Sequence, residues 1–454
     1  MKLKSINPFT GGLNAEFDPL PDEACSEAVL KGKEAFEAWR RLPVSDRVKP
    51  LAKLAFILRQ NKRELSRVVT VEMGKPIREA VAEIEKCALA CDYYHQNAEK
   101  LLQGETVESV AAKSYVVFEP LGVILGIMPW NFPFWQVARW AVPTLAAGNV
   151  CLLKHASNVP ITAIEIEKVF REAGFPEHVF QTLLTGPQGA ERLIEQGQID
   201  GVSLTGSVSA GASVGSLAGK NLKKVVLELG GSDPFIVLDD AHLEKAAHAA
   251  VKSRMGNAGQ SCIAAKRLIV KESVSRAFRE KFIEVINSLR IGDPMDESTD
   301  MGPVAREEFL ETLGEQLDDA LKKGALIHRG PKPPEQGFFF QPVILSQLTE
   351  DMRVLREEVF GPIAAMVTAP GEEEMIRIAN ETEFGLGAAI WTRDISKAER
   401  LAGEISSGFI AINDIVKSDP RLPFGGIKKS GFGRELSHFG LKEFVNIKTV
   451  VVGS

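Results

Sequence analysis

The sequence predicts an α/β fold built on doubly wound parallel sheets, and three observations carry that prediction. From Gly122 onward, short apolar strands alternate with helices. The paired Gly230-Gly231 interrupts this series, and a second one opens at Pro234. Two strand-like stretches, Ser114-Tyr115-Val116-Val117-Phe118 and the terminal Phe444 to Val452, stand apart with no helices of their own. Strands alternating with helices form a parallel sheet covered on both faces, whereas strands without helices pair with each other and leave an edge for a partner.

Taken in order, Met1 to Pro8 carries two lysines but no following apolar run, so neither a signal peptide nor an anchor is expected. From Ala24 to about Leu102 the pattern is amphipathic helix. Ala28, Val29, Ala35, Phe36 and Trp39 share one face, and Leu51, Leu54, Ala55 and Leu58 another. Val44-Ser45-Asp46 reads as a helix start and Gly74-Lys75-Pro76 as a stop and restart, in a region with no evident chemistry. Val123 to Ile127, Val150 to Leu153, Thr182 to Leu184 and Val202 to Leu204 then read as strands, with helices at about Ile161 to Ala173 and Pro187 to Gln196 between them. Gly230-Gly231 reads as a flexible, hinge-like break. Pro234 to Leu238 is the next strand, and a helix from Leu243 to Met255 leads into the loop before Cys262. Gly330 to Pro342, rich in proline and phenylalanine, reads as an irregular surface excursion.

The chain has 454 residues, a length that suggests roughly three domains, and its 44% hydrophobic and 25% charged composition is that of a soluble globular protein. A net charge of -6, spread along the chain, argues against a nucleic-acid partner. No run of about 18 apolar residues is present to cross a membrane. Cys25, Cys87, Cys91, Cys151 and Cys262 are odd in number and widely spaced, which fits a reducing cytoplasm. Cys87 and Cys91 lack a matching second pair, so core packing is expected there and no metal.

Four stretches can carry chemistry. Gly256-Asn257-Ala258-Gly259-Gln260-Ser261-Cys262 sets a cysteine on a polar, permissive backbone that can approach a ligand closely, the setting of a nucleophile rather than of a core thiol. Leu204-Thr205-Gly206-Ser207 ends a strand and opens a helix, where a pyrophosphate can meet free N–H groups, although glycines easing a turn would look the same. The stretch Gly215 to Asn221 fails as a phosphate loop, since its spacer is one residue short and Asn221 replaces the hydroxyl. Glu228, at the end of an apolar strand before Gly230-Gly231, is a candidate general base or an ordinary strand-end glutamate. Asn131, between Pro129 and Pro133, is a fixed amide that can stabilise an oxyanion, or a turn residue.

Together with Glu357-Glu358-Val359-Phe360-Gly361-Pro362 and Pro423-Phe424-Gly425-Gly426, these motifs occur in the order found in the aldehyde dehydrogenase superfamily, which the chain resembles over almost its whole length. The resemblance implies a Rossmann-like coenzyme domain in residues 1–103 and 121–229, an α/β catalytic domain in 230–442, and a β oligomerisation arm in 104–120 and 443–454, in a homodimer or homotetramer. It implies that Cys262 attacks the aldehyde carbon, with the Asn131 amide and the Cys262 N–H holding the oxyanion, and that hydride then passes to nicotinamide. Glu228 activates the water that hydrolyses the resulting thioester. By the same likeness Glu358 holds the nicotinamide ribose and Phe360 packs near the ring. Pro129, Trp130 and Leu229 line the coenzyme site, and Lys154, Gly206 and Ser207 lie on its adenosine and pyrophosphate side.

Many members that prefer NAD have a glutamate three residues after the strand-end lysine, where this chain has Ser157. A hydroxyl there removes repulsion against a 2′-phosphate, so NADP is expected to be preferred over NAD. Arg139, eight residues after Asn131, occupies a position where succinate-semialdehyde dehydrogenases bind the distal carboxylate, and bacterial members of that group are the most similar branch. Trp135, Ser418 and Phe424 complete the expected substrate mouth. Two positions depart from that group. Gly256 stands where a second arginine is frequent, with Arg254 two residues further away, and Ala264 stands where a second cysteine is frequent, which excludes a redox disulfide. Alternatives are a dehydrogenase of broader aldehyde specificity, a coenzyme A acylating enzyme (disfavoured by Glu228), a cysteine hydrolase (for which no histidine has a catalytic context) and a non-enzymatic member of the fold.

Overall fold

The computed structural model describes residues 2–453, so Met1 and Ser454, the outermost residues of the expected segments, lie outside it. Among the described residues the chain forms four sheets. A six-stranded sheet runs in the order Gly431–Phe432, Lys224–Glu228, Gly201–Thr205, Val123–Met128, Val150–His155, Phe180–Thr182. All neighbours are parallel except the short Gly431–Phe432, which pairs antiparallel with Lys224–Glu228. The chain builds outward from Val123–Met128 in one direction and then returns to its other side with Gly201–Thr205. The crevice beyond the carboxyl ends of these two strands is thus a topological switch point, where α/β sheets bind ligands.

A seven-stranded sheet holds Asp233–Val237 and Ala265–Lys271 side by side at its centre, with an antiparallel edge strand Leu326–Arg329. The two isolated strands expected from the sequence pair antiparallel with each other, Lys113–Pro120 against Val445–Val452, with Glu105–Thr106 on the far side. A two-stranded hairpin, Leu3–Ile6 with Leu13–Phe17, was not foreseen; it is short and lacks a clear alternation. The restart at Gly74 is an αL cap, with φ of 79°, ending Lys62–Met73 before the 25-residue helix Ile77–Leu101.

Two corrections concern organisation. The expected boundary at 442 is crossed early, because Gly431–Phe432 joins the six-stranded sheet and Leu436, Leu441 and Phe444 pack in its core. Gly230-Gly231 is not a flexible break: both residues are buried, and a Cβ at Gly230 would lie 2.3 Å from a Glu358 carboxylate oxygen, one at Gly231 2.6 Å from the Cys262 carbonyl. These glycines let two segments of the site close onto the strand end.

Candidate active site

The loop before Cys262 is held by hydrogen bonds along its length. Asn257, Ala258 and Gly259 are three successive left-handed residues, with φ of 51°, 53° and 75°, a conformation that costs a non-glycine residue roughly 1 kcal/mol or more. Hydrogen bonds over-determine it. Glu79 accepts from the Asn257 N–H at 2.9 Å, Asn257 Nδ2 donates to the Asn131 carbonyl at 2.9 Å, and Asn131 Nδ2 donates to the Gln260 carbonyl at 3.0 Å. Arg254 is fully buried and donates to the carbonyl oxygens of Gly259, Val359 and Gly361. It braces the loop and faces backbone. The close approach at Gly259 is therefore to Gly361 and Arg254 rather than to a ligand, since a Cβ there would lie 2.4 Å from the Gly361 oxygen.

Two cavities share Cys262 and Gln136 as common lining. The first, of about 260 Å³, is lined by Pro129, Trp130, Asn131, Thr205, Gly206, Ser207, Leu229, Gly230, Phe309, Glu358 and Phe360. It lies at the switch point of the six-stranded sheet, where Ser207 caps helix Val208–Lys220 by accepting from the Ala210 N–H. Trp130 stacks on Phe309 at 5.1 Å and meets Phe360 edge-on at 5.8 Å, an apolar wall for a flat ring. Glu358 accepts from the Gly231 N–H at 3.1 Å and pairs with Lys266 at 3.1 Å. Lys266 Nζ also donates to the carbonyls of Ser261 and Cys262, tying the cysteine loop to Glu358.

Lys154, near the end of the adjacent strand, and Ser157, in the turn after it, do not line this cavity; Lys154 pairs in register with Ile127, two residues before Pro129. Lys154 is buried with no carboxylate partner among the described residues, and burial lowers its pKa to about 8. An unpaired buried ammonium at a strand's carboxyl end fits an anionic ligand group such as a nucleotide phosphate. Neighbouring His155 offers no second cation. Burial holds its pKa at about 4, its Nδ1 accepts from the Ala156 N–H, and its Nε2 donates to the Pro133 carbonyl.

The second cavity, of about 310 Å³, brings together Trp135, Arg139, Ser418 and Phe424 with Cys262. Its remaining wall includes one face of helix Ile77–Leu101: Glu79, Ala82, Glu83 and Lys86, spaced as i, i+3, i+4 and i+7. This region, expected to carry no chemistry, supplies ionisable groups to the site, and its ordinary amphipathic spacing gives no sign of them. Glu83 accepts from the N–H groups of Phe134 and Trp135, capping the helix that carries Arg139, and pairs with buried Lys75.

Arg139 differs from the free cation expected at the mouth. It is buried, pairs with Glu435, donates to Thr205 and lies 4.6 Å above the Phe424 ring. Glu435 was not anticipated, because it becomes a neighbour only through the late return of the chain to the first sheet. Glu228 sits beside this pair. It is 2% exposed, one of its carboxyl oxygens has no hydrogen-bond partner, and it lines neither cavity. Burial raises its pKa well above the usual carboxylate range against the pull of Arg139, and Glu435 adds to the rise. Burial likewise pushes the Cys262 thiol up to about 12, opposed by Lys266 and Arg139. Burial thus disfavours the charged form of both groups.

Cys262 thus lines both cavities, Asn131 stands in the wall of the first, and Glu228 is buried at the end of the adjoining strand. The chain belongs to the aldehyde dehydrogenase family, whose model, described as "Aldehyde dehydrogenase family", matches residues 1–450. The succinate-semialdehyde dehydrogenase [NADP(+)] of Mycolicibacterium paratuberculosis is 44% identical over 100% of this chain and 97% of its own length. Among solved structures, the succinic semialdehyde dehydrogenase of Streptococcus pyogenes in complex with NADP+ superposes with a TM-score of 0.97, at 35% identity with both chains fully covered. The betaine aldehyde dehydrogenase of Staphylococcus aureus, in complex with NAD+, superposes at 0.95 with 30% identity, covering 100% of this chain and 91% of its own.

Proposed function

We propose that this enzyme oxidises succinic semialdehyde to succinate with NADP as preferred coenzyme. The observation that carries the proposal is the position of Cys262 in the walls of two cavities, one with aromatic walls and a strand-to-helix turn fit for a nicotinamide coenzyme, the other with cationic groups on an aromatic wall. NADP is the coenzyme of the mycobacterial and streptococcal relatives. Pro129, Trp130, Leu229, Phe360 and Glu358 hold its nicotinamide half; Gly206, Ser207, Lys154 and Ser157 serve its phosphates and adenosine. Bound there, the coenzyme supplies a two-electron oxidant that accepts a hydride.

Cys262 Sγ adds to the aldehyde carbon as the carbonyl π bond breaks onto its oxygen, and the thiol proton passes to solvent water as the carbon–sulfur bond forms. Asn131 Nδ2 commits one hydrogen to Gln260 and has a second to donate; with the Cys262 N–H it stabilises the oxyanion. After oxidation the cysteine holds a thioester. Glu228, as the carboxylate and swung from its place beside Gly425 and Arg139, takes a proton from water as the water oxygen attacks the acyl carbon, and returns that proton to the Cys262 sulfur as the carbon–sulfur bond breaks, so that Cys262 leaves as the thiol.

Within the cell, four buried free cysteines and the absence of a bilayer-length apolar helix among the described residues support a cytoplasmic enzyme. Exposed Ile447, Val451 and Val452 on the protruding strand support a homo-oligomer that covers them. A specific observation favours a second reading, broader aldehyde specificity: Arg139 is already neutralised by Glu435. A panel of succinic semialdehyde, glutarate semialdehyde and neutral aliphatic aldehydes separates the two. Comparable kcat/KM for a neutral aldehyde of similar length sinks the succinic semialdehyde assignment, and comparable or higher kcat/KM with NAD sinks the coenzyme preference.

A further inference from the structure

The aldehyde cavity contains a cation that the mechanism above leaves unused. Lys86 projects from helix Ile77–Leu101 into this cavity, with Nζ 4.3 Å above the Trp135 ring and 2.8 Å from Ser418 Oγ. Trp135 Nε1 also donates to Ser418 Oγ, at 3.0 Å. A hydroxyl that accepts from two donors keeps its own hydrogen to give away, so Ser418 is an oriented donor with its oxygen already polarised by an ammonium.

Lys86 makes no ion pair among the described residues. The carboxylates near it are engaged elsewhere: Glu83 holds Lys75 and two backbone N–H groups, and Asp419 holds Arg421. Arg139, the other buried cation of this wall, adds repulsion and is itself paired with Glu435; Lys252, on the rim, is exposed. Burial, reinforced by Arg139, draws the Lys86 ammonium down to about 8, as expected of a cation whose counter-ion is still to arrive. Gly256 adds no charge to the wall, and Glu79, whose carboxyl lies 3.6 Å from where a Cβ of that residue would be, is fixed on the Asn257 N–H.

We propose that Lys86, together with the Ser418 hydroxyl, receives the distal carboxylate of the substrate, and that Lys86 is the specificity-determining cation of this cavity. This rests on the reading of the substrate as a carboxylate-bearing aldehyde. The lysine keeps one hydrogen on Ser418 and has others to donate, so a carboxylate oxygen on Nζ and another on the Ser418 hydroxyl complete both groups.

The test compares kcat/KM for succinic semialdehyde with that for butanal, an uncharged aldehyde of equal carbon number, in wild type, Lys86→Met and Lys86→Arg. Methionine keeps an unbranched stem over Trp135. The expected result is a succinic semialdehyde to butanal ratio lowered roughly 10- to 100-fold in Lys86→Met, with the loss in KM rather than kcat, and largely restored in Lys86→Arg. An unchanged ratio in Lys86→Met, or equal losses on both aldehydes, overturns the role of Lys86. If the wild-type ratio is itself near one, the substrate reading falls and this proposal falls with it. A high wild-type ratio kept by Lys86→Met leaves the substrate reading standing without Lys86.

Discussion

The two cavities that meet at Cys262 are built on different principles. The coenzyme cavity is made chiefly of strand ends and the turns that follow them at the switch point of the six-stranded sheet, closed by Cys262, Phe309, Glu358 and Phe360 from the other half of the chain, so most of its residues fall in short sequence motifs. The aldehyde cavity is assembled from a helix face near residue 80, the helix Pro133–Ala146, the cysteine loop and segments near 416 and 424, so its residues lie far apart in sequence. Binding of the common group is thus concentrated in local motifs, and discrimination among aldehydes is spread over tertiary contacts.

The largest effect expected is at the sulfur the cavities share. Cys262→Ala should lower kcat by a factor on the order of 10⁴ or more while NADP binding, followed by fluorescence titration, is retained, because the remaining coenzyme wall is intact. Loss of both together would join the cavities more tightly than proposed.

Glu228→Gln should lower steady-state kcat by about 10²- to 10³-fold, leaving the first turnover of NADPH formation, since the carboxyl acts after oxidation. Stopped-flow absorbance checks this; a first turnover slowed as much as the steady state would assign Glu228 to an earlier step.

On the coenzyme side alone, Ser157→Glu should lower kcat/KM for NADP roughly 10- to 100-fold through repulsion of the 2′-phosphate. NAD, which lacks that phosphate, should be less affected; equal losses for both coenzymes would remove Ser157 from the recognition of the ribose.

The smallest effect concerns ionisation. Because burial raises the Cys262 thiol to about 12, alkylation of the free enzyme by iodoacetamide should quicken about tenfold per pH unit through neutrality and not level off below about pH 9. Lys266→Met, which removes the main opposing cation, should slow it at any given pH. A plateau near pH 7 would mean a thiolate already formed without ligand.

This contrast also explains what was legible in the sequence. Cys262, Asn131 and the strand-end Glu228 stand out because each sits at a fixed point of a strand, turn or loop motif, and the paired antiparallel strands of the arm are evident from their isolation. Lys86 and Glu79 are hidden because a helix that packs a core on one face and lines a cavity on another has an ordinary amphipathic pattern. Glu435 is hidden because its partnership with Arg139 spans nearly 300 residues and depends on the chain's return to the first sheet. The glycines misled in a physical way: Gly230, Gly231 and Gly259 signal close packing of backbone as readily as flexibility, and composition does not distinguish the two.

The central claim is that Cys262 carries the acyl group of succinic semialdehyde between oxidation and hydrolysis. It is tested most directly by mixing Glu228→Gln with succinic semialdehyde and NADP, quenching in acid, and reading the intact mass and peptide map. The account predicts a succinyl group on Cys262 together with one NADPH per active site. An unmodified Cys262 after that turnover, or the acyl group on another residue, would contradict it.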